Sequence, residues 1–187
     1  DEILQQCKKD VWDMIKNDRS KTTKTLAEMK DKAWNLPVDK DKRKPGVKRE
    51  GEGGEWCLED IRCSCDEKRK QAAGYNPKTH EIVLSITVDT EAGTYKFKLK
   101  SIQPPVMLAH ELDHAWRLCN WDPAGLGSRD KQVRDATLAE VRKGERVAFE
   151  IAFEWAIKRY KEDPKKWAEY KKWHDMKYME GGRPTTI

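Results

Sequence analysis

The segment Val106–Asn120 contains neither glycine nor proline, follows directly on Pro104 and Pro105, and carries His110, Glu111 and His114 among apolar residues. Proline suits the first turn of a helix, where its missing N–H is no loss. The run therefore predicts a helix. Histidines four residues apart on a helix stand on one face, and the chain spends two of its four histidines here. The remaining elements have to be arranged around this one.

His-Glu-x-x-His on a helix is the spacing at which two imidazoles meet one Zn²⁺ at about 2.0–2.1 Å, with the glutamate beside the first histidine reaching water at the metal. Zinc so held acidifies water and polarises a carbonyl. Glu111 is the expected general base. The bland alternative is a chance pattern on a surface helix with two satisfied histidines.

A catalytic zinc takes three protein ligands and keeps one position open. His174 is the only histidine downstream, and the long helical pattern from about Lys131 to Lys161 offers Glu140, Glu145, Glu150 and Glu154. Leu138, Val141, Ala148, Ala152 and Trp155 define its apolar stripe, and Glu145 falls in the middle of it. At roughly 100° per residue the other three glutamates lie more than about 100° from the stripe. A carboxylate in a buried stripe is costly unless paired or bound to a cation, so Glu145 is the candidate third ligand. The competing reading pairs Glu145 with Arg117 or Arg142, and Glu150, which forms E-x-x-x-E with Glu154, is the fallback ligand.

The rest of the chain reads as one domain, residues 1–187. Residues 1–36 form an amphipathic helical pair, with Ile3, Leu4, Cys7, Val11, Trp12 and Ile15 followed by Leu26, Met29, Ala33 and Trp34. Residues 37–55 are rich in charge, proline and glycine and predict a flexible loop. Residues 56–180 form the core that carries the chemistry. Within it, strands are expected at Trp56–Ile61, Ala72–Tyr75, Glu81–Val88 and Tyr95–Leu99; the last two form a hairpin whose Lys96, Lys98 and Lys100 face solvent. Pro164 opens a last helix with Trp167, Tyr170, Trp173 and Met176.

His-Glu-Leu-Asp-His-Ala-Trp, followed by Gly144-Glu145-Arg146-Val147-Ala148-Phe149 and preceded by Gly74-Tyr75-Asn76-Pro77 through Leu84, resembles gluzincin metallopeptidases. Within them it is most similar to the clostridial-neurotoxin-like and bacterial effector zincins. The resemblance covers about residues 74–160. It implies an α+β, zincin-like fold: a small, mostly antiparallel sheet beside an active-site helix, with helices flanking at both ends. It further implies a zinc metalloendopeptidase with His110, His114 and Glu145 on the metal and Glu111 as base. Other implications are a protein or peptide substrate, a toxin or effector domain secreted or delivered within a larger polypeptide, and a cognate immunity or inhibitor protein as partner. A peptide would add to an edge strand, either Ile82–Val88 or Tyr95–Leu99. The sequence departs from the pattern at Asp113, where an apolar residue or glycine is usual. It also lacks a clear match to the late Arg/Tyr pair that stabilises the oxyanion; Arg159 and Tyr160 are the candidates, with Tyr75 and His80 behind them.

Five cysteines leave at least one unpaired or bridged to another molecule. Cys57, Cys63 and Cys65 with His80 do not have the spacing of a known zinc finger, so a disulfide among them or free thiols is expected. The 38 basic residues are nearly matched by 33 acidic ones, which gives no indication of nucleic-acid binding. No apolar run is long enough to span a membrane, and the first residues lack the pattern of a signal peptide. The alternative from another class is a non-catalytic binding module stabilised by zinc; a structural zinc, however, is normally closed by a fourth Cys or His, and only Cys119 is near.

Overall fold

A computed structural model of the chain describes residues 1–18, 25–38, 49, 55–98, 104–119 and 123–179. The element order is α1 (Glu2–Asn17), α2 (Leu26–Trp34), β1 (Asp60–Ser64), β2 (Ala73–Asn76), β3 (Glu81–Asp89), β4 (Thr94–Phe97), α3 (Pro104–Leu118), α4 (Lys131–Tyr160) and α5 (Pro164–Met179), with a 3₁₀ turn at Pro123–Gly127. Among the described residues this is an α+β fold of five helices and a small four-stranded sheet. Most of the expected 37–55 loop lies outside the described residues.

The helices start where side chains can satisfy their first free N–H groups. Asp1 accepts from Ile3 N at 3.0 Å, Thr25 from Glu28 N at 3.2 Å and Asp130 from Gln132 N at 2.8 Å. Buried Cys7, Val11 and Ile15 turn α1 onto β1, while α2 lies against α3. One apolar cluster runs through α1, α2, the sheet, α3, α4 and Tyr170 of α5.

The sheet is mixed and, with two of its three strand pairings antiparallel, mostly antiparallel as the sequence suggests. β3 is central; β2 and β4 pair with it antiparallel, but β1 runs parallel. A parallel neighbour requires a long crossover, and β2 with its flanking turns supplies it by returning to the far side of β3. β3 consequently buries both faces over its first half, Ile82 through Ile86, where alternation predicts one. Neither β3 nor β4 is therefore the edge nearest α3: that place belongs to β2.

The first strand begins at Asp60, later than the expected Trp56. Trp56 makes only an isolated bridge to Pro37, and Cys57 N donates to Leu36 O at 2.8 Å, so this stretch is tied to the α2 exit before the sheet begins. Disulfides pair Cys7 with Cys63 and Cys57 with Cys119, and Cys65 is free and exposed. The bridges run outward from the Cys57–Cys65 cluster to α1 and α3; none closes within it. They also remove Cys57, Cys63 and Cys119 as thiolate ligands.

Candidate metal centre

Every residue of α3 from Pro105 to Ala115 is buried. Such burial includes His110, Glu111, Asp113 and His114, at 0–5% exposure. The interface of α3 with α4 is the most extensive between elements. Across it stands Glu145, 1% exposed, among the buried Val141, Gly144, Ala148, Phe149 and Ala152 of α4. Glu140, Glu150 and Glu154 are exposed on the other sides of that helix. The phase of the apolar stripe thus selects the glutamate that meets the histidines.

Three side chains converge. His110 Nε2 and His114 Nε2 are 2.9 Å apart, His114 Nε2 lies 2.8 Å from Glu145 Oε2, and His110 Nε2 lies 3.5 Å from Glu145 Oε1. Ligand atoms on one tetrahedral zinc at about 2.0–2.1 Å stand ~3.3 Å from each other, so the three separations bracket the required value. A cation between the two imidazole nitrogens and the carboxylate would satisfy all three. Burial pushes the Glu145 carboxyl up, but hydrogen bonds and charge from the two imidazoles more than offset it and hold it down to about 2. It is an anion ready to bind a cation. The Nδ1 atoms of both histidines are buried without a hydrogen-bond partner among the described residues, so the usual orienting groups behind zinc-bound imidazoles are not supplied by this part of the chain.

Glu111 is adjacent in sequence and 0% exposed. Burial pushes its pKa up to about 7; the charge of His110 opposes the rise and that of Glu145 adds to it. Neither carboxylate oxygen makes a full hydrogen bond among the described residues, although the backbone N–H of Tyr75 lies close enough to draw the pKa down. The sheet register explains that N–H. Ser85 N donates to Ala72 O at 2.8 Å, which makes Ala72–Ser85 a hydrogen-bonded pair. In an antiparallel ladder such pairs alternate, so Gly74 also bonds to β3, while Ala73 and Tyr75 turn their N–H and C=O outward. This outer edge of β2, buried at Ala73 and Tyr75, lies beside Glu111.

Arg117 donates to Asp113 at 3.0–3.1 Å. This ion pair answers two questions left by the sequence: it explains how an acid is tolerated before the second histidine, and it occupies the arginine that would otherwise neutralise Glu145. Burial raises the Asp113 pKa, with Arg117 opposing.

Arg159 and Tyr160 are not brought to the triad. They lie fourteen and fifteen residues beyond Glu145 on the unbroken α4, about 21 Å away at 1.5 Å per residue. Arg159 is exposed with its guanidinium 5.6 Å from the Trp155 ring, and Tyr160 packs beside Tyr170. Matching phase on a helix does not bring residues together when they are four turns apart. Tyr75 OH donates to Cys57 O at 2.7 Å and lies 3.0 Å from His80 Nδ1, so the hydroxyl of Tyr75 serves the loop while its backbone serves the site. The sequence gives no role to Phe149, one turn after Glu145, whose ring packs 4.8 Å from that of His110. Its i+4 relation to Glu145 was the available signal.

Comparison with known proteins returns no match: no protein family, no curated relative and no solved structure.

Proposed function

We propose that this chain is a zinc-dependent metallopeptidase of zincin-like fold, with His110, His114 and Glu145 holding the metal and Glu111 as general base. One observation carries the reading: three buried ligand atoms from two helices converge within 4.8 Å of one another, with a fourth buried carboxyl next to them in sequence. Two imidazoles and a carboxylate are a donor set that suits zinc and leaves a position open. Bound there, zinc supplies Lewis-acid polarisation of a carbonyl and a more acidic water. Glu111, with a pKa near neutrality, takes a proton from the attacking water onto its carboxylate and delivers it to the departing amine. The backbone N–H of Tyr75 faces that carboxylate from β2, which packs against α3. The two disulfides fit a chain that folds outside a reducing cytosol, in keeping with a secreted or delivered effector.

A second reading, a zinc-stabilised module without catalysis, is favoured by the burial of all four residues at 0–2% exposure, because a hydrolase has to admit its substrate. One variant separates the two. Glu111→Gln should keep the metal content and melting temperature of the parent protein while lowering peptide hydrolysis by at least about 100-fold. Hydrolysis of a mixed peptide library by the parent and not by the variant supports the enzyme. A zinc-loaded parent that cleaves nothing supports the module.

A further inference from the structure

Beside the triad the described residues form a cleft of about 620 Å³ above the sheet face opposite Tyr75 and Ile82. Its floor follows the register: Arg62, Val83 and Gly74 are aligned across β1, β3 and β2. Arg69, Lys78, Leu126 and Val141 of α4 also line it. Val141 stands one turn before Glu145, and Tyr75, which also lines the cleft, turns its backbone toward Glu111.

The charge in the cleft is unbalanced. Three cations, Arg62, Arg69 and Lys78, face one carboxylate, Glu81, which pairs with Arg62 at 3.4 Å. Arg69 is left over. Its Nε is buried with no hydrogen-bond partner among the described residues, and a desolvated guanidinium donor without an acceptor is costly. A carboxylate is the group whose geometry matches it, through paired N–H···O bonds. The apolar wall of Leu126 and Val141 suits the methylenes of a longer acidic side chain.

We infer that this cleft is a recognition site for a glutamate side chain of a peptide, with Arg69 as its principal recognition residue and Lys78 in support. The inference rests on the peptidase reading for its meaning, but not for its test. Binding is measured by fluorescence anisotropy on the Glu111→Gln protein with and without added zinc, using labelled peptides with a single Glu in a Ser/Ala background and matched peptides with Gln. Cleavage of the same peptides is followed with the parent protein.

The Glu peptides should bind about tenfold more tightly than the Gln peptides, the scale of one charge-assisted pair. Arg69→Gln should bring the ratio close to one. Lys78→Glu, at an exposed position that does not threaten the fold, should lower the ratio at least severalfold. Equal binding of the two peptide sets, or a preference that survives both substitutions, overturns the inference. So does competition by a generic oligonucleotide as effective as by the Glu peptide, since that marks a nonspecific anion surface. An Arg69-dependent preference without cleavage of any peptide leaves the subsite standing and removes the hydrolase reading. Cleavage that is indifferent to Glu does the reverse.

Discussion

Replacing Glu145 and Glu150 one at a time tests both the metal centre and the reasoning that located it. Five residues apart on α4, the two carboxylates point about 140° from each other around the helix axis. Glu145 is 1% exposed, with oxygens 2.8 and 3.5 Å from the two imidazole nitrogens, whereas Glu150 is exposed. Loss of a group that merely orients a ligand weakens metal binding by about 10–100-fold. Loss of a ligand has to exceed that range, so Glu145→Gln should weaken zinc binding by more than about 100-fold, ~2.7 kcal/mol. Glutamine keeps the volume and the buried surroundings, which separates the effect from a packing defect. Glu150→Ala should stay within about twofold of the parent, as surface substitutions do. The assay is a competition titration against a chromophoric chelator at fixed pH, with melting curves of the zinc-free proteins alongside. If Glu150→Ala sheds the metal and Glu145→Gln keeps it, the assignment of the buried stripe is wrong.

Three further outcomes are expected. Saturating zinc at about a thousand times its Kd stabilises the folded chain by ~4 kcal/mol, so a chelator should lower Tm by roughly 8–16 °C for a chain of this length; an unchanged calorimetric melt refutes a metal site. The Cys57–Cys119 bridge spans 62 positions, and a loop of that size contributes ~4 kcal/mol through the unfolded state; a Cys57→Ser, Cys119→Ser double variant with an unaltered urea midpoint contradicts the pairing. Burial lowers the His80 pKa from 6.5, with Glu55 and Glu59 opposing, so the folded state favours the neutral imidazole and loses stability as pH falls through 6.5. His80 has a φ of 57°, a conformation asparagine tolerates, and His80→Asn should flatten that pH dependence between about pH 7 and 5, as read from urea midpoints at successive pH values.

How much of this was legible in the sequence depends on whether a local period determined the feature. His110, His114 and Glu145 were found because each requires only a helix and its phase, and both helices are long and free of breakers. Two helix starts were legible as well, through Pro104 and Pro164. Arg159 and Tyr160 were misplaced because phase fixes a direction but not a distance along the axis. The parallel pairing of β1 with β3 was invisible, since strand order depends on where turns return the chain and not on alternation within a strand. Disulfide partners were hidden likewise: Cys7 meets Cys63, and Cys57 meets Cys119, only after α1 and α3 have packed on the sheet.

The two halves of the site are supplied by different parts of the fold. The triad belongs to α3 and α4, whose mutual packing brings the three side chains together. The strand beside Glu111 is β2, which packs on α3. Cys57 adds a second tie: its sulfur is bonded to Cys119 just past the end of α3, and its carbonyl accepts the Tyr75 hydroxyl at 2.7 Å. That hydroxyl is buried, which raises its pKa well above the usual phenol range and keeps it a donor at any physiological pH. The chain from α3 through the disulfide and the Cys57 carbonyl to Tyr75 thus holds the strand amide toward Glu111. Opening the bridge should loosen substrate alignment while leaving His110, His114 and Glu145 with their ligand geometry, because α3–α4 packing does not pass through Cys57.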